Sequence, residues 1–160
     1  MSYMKLLKLL YLADRSALLQ HGRPITYDRY VSMDHGPVLS QTYNLMVAEQ
    51  SPDQPPSYWR QFISEPEQYE VHLVSNAASN SELSPAQEAI LDEVFREFGA
   101  LSRWQIVDFV HTLPEWEDPH GSSIPITFQD VLRGGGMEDE DIEAVEEVLL
   151  AENALAALLD

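Results

Sequence analysis

Leucines crowd the start of the chain. Leu6, Leu7, Leu9, Leu10, Leu12, Leu18 and Leu19 all fall within residues 3–20 and cover more than one side of a helical wheel. The pattern predicts a central helix buried on several sides, with Lys5, Lys8 and Arg15 as its solvent strip and Gly22 and Pro24 as its stop. Asp14 shares the apolar face of Leu7, Leu10, Tyr11 and Leu18. A carboxylate there needs hydrogen bonds or a cation, so Asp14 is expected to brace the neighbouring loop.

The period then changes. In TYDRYVSM, residues 26–33, Tyr30 and Ser32 alternate with Arg29, Val31 and Met33, which predicts a strand. Helical spacing returns over 38–48 with Val38, Leu39, Thr42, Tyr43, Leu45 and Met46. Between the two lies His35-Gly36-Pro37. Proline suits the first position of a helix, where its missing N–H costs nothing, and it disfavours the α region for Gly36. The expectation is a strand-to-helix elbow, with Gly36 as a structural brace and His35 as its anchor or a partner contact. After a turn-rich loop at 51–56 comes a short aromatic helix over 57–63, with Tyr58, Trp59 and Phe62. YEVHLVS, 69–75, alternates again and is expected to pair with the first strand as a small antiparallel ribbon. SNAASNSEL, 75–83, reads as a polar linker.

The second half is strongly punctuated. Ser84 with Gln87 and Ser102 with Gln105 have capping-box spacing, and Pro85 sits at a first helical position. These signals predict helices from 85 to 98 and from 103 to just before Pro114. The stretch 113–126, with Trp116, is read as a long loop of the kind that often binds. Thr127 caps a short helix over 128–133, and Gly134-Gly135-Gly136 is expected to hinge. A last helix, 138–159, carries the stripe Ile142, Val145, Val148, Leu149, Leu155, Ala156 and Leu159. The sum is a mainly α protein with a small two- or three-stranded antiparallel β element, one α+β domain over 1–136, and an acidic C-terminal helix, 137–160, belonging to the same domain.

Charge sharpens this picture. The net charge is −18, yet residues 1–33 balance at +3 and the remainder at −21. From residue 137 there are nine acidic residues and no basic one. Such a surface repels nucleic acid, whose phosphates need clustered Lys and Arg, and attracts basic proteins. No apolar run approaches the length of a membrane span, and no secretory signal is evident, so a cytoplasmic protein away from membranes is expected. There is no cysteine, which excludes disulfides and thiolate chemistry.

Catalytic spacing is not evident. No two of the five histidines stand at i, i+4, and none lies in HExxH. No serine occupies a G-x-S-x-G elbow, and the triple glycine lacks the Lys-Ser/Thr ending of a phosphate loop. No enzyme activity, cofactor or metal is expected. An Asp14–His35 pair would be the alternative enzymatic arrangement. Partner anchors are sought among aromatic and arginine residues: Arg29, Tyr30, Tyr43, Trp59 and Trp116, together with His35 and Pro37.

Several motifs occur in a fixed order: KLLKLLYLAD at 5–14, GRPIT at 22–26, HGPV at 35–38, FGALSRWQIVDFVHTLPEWEDP at 98–119, and SSIPITFQDVL ending at Leu132. Together they resemble the Panacea domain of the SocA-like antitoxin family. The resemblance implies a mainly helical domain that neutralises a cognate toxin by direct protein–protein binding. It also implies an alternative, a proteolytic adaptor delivering a bound toxin to a ClpXP-type protease. Members of the family have a further helix ahead of the KLLKLL segment. Only four residues precede that segment here: either that helix is absent or the start has been trimmed, and an apolar groove left uncovered would invite a partner or a second copy, giving a homo-oligomer.

Overall fold

A computed structural model describes residues 1–48, 57–75 and 82–159. The expected loop at 51–56 and most of the 75–83 linker lie outside the described residues, as do the side chains of Ala156 and Leu159. The first helix, α1 (Tyr3–His21), runs through the middle of the protein and ends at Gly22, which takes the left-handed conformation with φ 67°. Around α1 pack α3 (Pro85–Phe98), α4 (Arg103–Val110) and α5 (Phe128–Gly134), with a three-stranded antiparallel sheet on another side. The other two helices described are α2 (Ser40–Val47) and α6 (Asp139–Leu159), so the fold is mainly α with a small β element.

Local signals set most helix ends. Ser84 accepts from the Gln87 N–H while Gln87 accepts from the Ser84 N–H, and Ser102 with Gln105 repeats the exchange. Thr127 and Asp130 do the same at α5. Each exchange satisfies amide groups that a helix start leaves without intrahelical partners.

The sheet departs from the expected ribbon. The central strand, β1 (Tyr30–Met33), pairs with β2 (Gly36–Leu39) on one side and β3 (Ile124–Ile126) on the other. Residues 69–75 form no strand of this sheet. They make isolated bridges, Glu70 opposite Ser2 and Leu73 opposite Ile63. The positive φ values of Gln68 and Tyr69 turn the chain just before them. The expected loop 113–126 therefore supplies the third strand, and β1 keeps its alternation, with Tyr30 and Ser32 buried.

His35-Gly36-Pro37 is not a helix entry. Asp34 and His35 turn a tight hairpin, Met33 pairs with Gly36, and Ser32 pairs with Pro37. Proline is tolerated because β2 lies at the sheet edge. Helix α2 starts only at Ser40.

The core has two parts. The larger one gathers Tyr11, Leu18, Tyr30, Leu39, Ile106, Val110 and Val131 around α1. A smaller one joins Leu7, Val38 and Met46, with Tyr43 and Trp59 packed against it. The expected aromatic helix is a single 3-10 turn, Trp59–Gln61. Arg60 within it donates to the carbonyls of Met46 and Ala48 at 2.8 and 3.2 Å, closing the end of α2.

Two of the three glycines in the run expected to hinge are closely packed, while Gly136, with φ 88°, has nothing within 4 Å of the place a Cβ would take. A Cβ on Gly135 would stand 2.2 Å from Leu19, and one on Gly134 would stand 2.6 Å from the Glu115 carboxylate. Helix α6 docks through Ile142 and Leu149, but Val148 and Leu155, expected in the same stripe, are 46% and 59% exposed. None of the described helices is long and apolar enough to cross a membrane.

Candidate functional site

The motif residues converge on the hairpin. Gly36 has φ 94°, in the region that favours glycine, and a Cβ there would lie 2.5 Å from Val110. Beneath it Lys8 is 1% exposed, not on the solvent strip of α1. Its ammonium donates to the carbonyls of Gly36 and Pro37 at 3.0 and 2.9 Å. Burial pushes the Lys8 pKa down to about 7. Deprotonation would still leave two N–H groups for the two carbonyls.

The 113–126 segment fastens the other side. Trp116 Nε1 donates to the Met33 carbonyl at 3.1 Å, and the indole stacks on His111 with centroids 4.1 Å apart. Glu117 N–H donates to Ser32 Oγ at 3.2 Å, and Gly121 N–H donates to Asp34 Oδ1 at 2.8 Å. Burial, and then the Lys8 charge, hold the His111 pKa below its usual value. Glu115 has a fully buried carboxylate that accepts from Arg15 Nε at 2.6 Å and Tyr11 OH at 2.9 Å.

Two further carboxylates organise the chain before β1. Asp14, fully buried, accepts from the N–H groups of Ile25 and Thr26, both at 2.9 Å, and from the hydroxyls of Thr26 and Tyr30. Burial raises its pKa, and these hydrogen bonds oppose the rise. Asp28 accepts from the N–H groups of Gln41 and Thr42 at 2.9 and 2.8 Å. It therefore caps α2 from outside that helix's own sequence, a role no local motif announces.

Lys8, Asp14, Asp28, Glu115 and Trp116 are each engaged with backbone or side chains of the same fold, an arrangement suited to bracing. Asp14 and His35 lie in separate settings: the Asp14 oxygens are taken up as described, while the exposed His35 ring meets Trp104 edge-on at 5.7 Å. Trp104 is 50% exposed, and the Arg103 guanidinium lies 5.4 Å from its ring centroid. The exposed Trp104 indole and His35 imidazole, with the half-buried Arg103 beside them, thus form a platform beside the hairpin turn.

Of the residues named from the sequence, His35 and Arg29 are exposed. Tyr30 and Pro37 are buried, and Tyr43, Trp59 and Trp116 are half-buried in packed positions. Sequence reasoning missed Trp104, although a signal existed. Trp104 shares a helix face with Asp108 and points away from Ile106 and Val110.

A second apolar surface lies between α1 and α3. A groove of about 350 Å³ is lined there by Leu6, Leu9, Leu10, Leu91 and Phe95.

Comparison with known proteins agrees with the motif series. The family model described as antitoxin SocA-like, Panacea domain, matches residues 6–117. No curated protein and no solved structure matches the chain.

Proposed function

The chain belongs to the SocA-like antitoxin family through its Panacea domain, and from that premise we propose that it neutralises a cognate toxin by binding it directly, with the His35–Trp104–Arg103 platform as a contact surface. The observation that carries this reading is the division of labour at the hairpin. Lys8, Asp14, Asp28 and Glu115 are spent on holding the fold, whereas the groups left outward are of the types that anchor protein interfaces. The net charge of −18 adds long-range attraction for a basic partner. Shielding by contact needs no reaction step.

The experiment is co-expression with the product of the adjacent gene, followed by affinity measurement on purified components. Wild-type protein is expected to restore growth and co-purify with that product. Trp104→Ala should weaken the complex by about 2 kcal/mol, roughly thirty-fold in Kd, with little change in melting temperature. A harmless neighbour, or the absence of any complex, would refute the reading. Inhibition by purified components without a protease separates direct binding from the adaptor role, which requires the toxin's lifetime to fall.

A further inference from the structure

Helix α6 has two apolar faces, and among the described residues only one is packed. Ile142 and Leu149 are buried and Val145 packs beside them. Polar contacts fix the same orientation: Gln129 donates to Glu146, Arg23 pairs with Glu152, and Tyr27 OH donates to Glu152 at 3.2 Å. At about 100° per residue, the side opposite Ile142 and Leu149 presents Ala144, Val148, Ala151, Leu155 and Leu158. All five are exposed, Leu155 by 59% and Leu158 by 82%. Their spacing is four, three, four and three residues, the interval of a coiled-coil seam. The docked face cannot turn outward without breaking the contacts to Gln129, Arg23 and Tyr27, so among the described residues this seam stays uncovered.

The charge beside the seam selects its occupant. Glu140 and Glu147, seven residues apart, run along one margin, and no basic residue occurs from 137 to the end. A second copy would bring like charges together across the contact. A helix with Lys or Arg beside its apolar residues would be matched in both respects. The seam also lies beyond residues 6–117, the span matched by the family model.

We propose that the outward seam of α6 docks one amphipathic helix of the partner protein, with apolar residues at alternating three- and four-residue spacing and basic residues flanking them. This rests on the antitoxin reading for the partner's identity and adds a second contact, separate from the hairpin platform.

The test titrates the full chain with three synthetic peptides. One has leucines at the heptad core positions and lysines beside them. A second replaces those lysines with glutamates, and a third keeps the lysines but replaces the leucines with glutamines. The first should bind at least tenfold more tightly than either other peptide. A Leu155→Gln/Leu158→Gln chain should lose that preference, because both side chains are exposed and their replacement leaves the core intact. Equal binding by the double variant, equal binding of the glutamate peptide, or a wild-type dimer that the double variant dissolves would each overturn the proposal. The same two chains are then compared against the purified toxin. If wild type binds no toxin, the antitoxin reading falls; if wild type and double variant bind it equally, the docking inference alone falls.

Discussion

At Asp14 a carboxylate on the same helix face as Leu7 and Leu10 is held by four donors from the loop and β1. Removing the acceptor leaves those donors without a partner, at about 1–3 kcal/mol for each one left buried. Asp14→Ala should therefore lower unfolding stability by at least about 3 kcal/mol in urea titrations, with Asp14→Asn intermediate. Lys8 gives a test by pH. Its folded pKa of about 7 lies below the ordinary 10.5, so between those values the unfolded chain binds a proton that the folded chain releases. Stability contributed by this residue rises with pH through that window and is lost as pH falls towards 7. The stability of wild type minus that of Lys8→Met should increase from pH 7 to 10. A difference that stays flat would show that Lys8 keeps its usual affinity for protons.

The elements separate what is local from what is not. Capping at Ser84, Ser102 and Thr127 was readable because donor and acceptor lie three residues apart. The cap on α2 was not, because Asp28 reaches it from the far side of β1 and β2. Asp28→Ala should cost about 1–2 kcal/mol and fray α2 first, which hydrogen exchange at Gln41 and Thr42 would report. Strand pairing is likewise not a local property. Residues 69–75 and β3 each carry strand-like side chains, and alternation fixes which side chains share a face but not which strand lies alongside. Pro37 shows the same limit, since a helix start and a sheet edge both tolerate a missing N–H. Gly36 decides between them only in three dimensions, where φ 94° and the 2.5 Å approach to Val110 demand glycine. Gly36→Ala should destabilise the hairpin by about 2 kcal/mol or more, measurable as a lowered melting temperature.

Across the described residues, Lys8, Asp14, Asp28 and Glu115 are buried and brace the fold, while most other acidic residues face solvent. The family was legible from motif order, because those motifs encode the Lys8–Gly36, Asp14–Thr26 and Glu115–Arg15 contacts that make the scaffold. The candidate contact surface was less legible. Trp59 and Trp116 drew attention as tryptophans, yet packing takes up much of both, while Trp104 stands outward beside His35. A surface with net charge −18 should meet a basic partner quickly at low salt and more slowly as salt screens it. Stopped-flow association rates should fall with ionic strength, with dissociation rates changing less. The central claim, shielding by contact rather than by turnover, is tested most directly by titrating purified toxin activity with this protein in the absence of any protease. Inhibition should grow in proportion to added protein and level off at a fixed molar ratio. Complete inactivation by a small fraction of that amount, progressing with time, would contradict it.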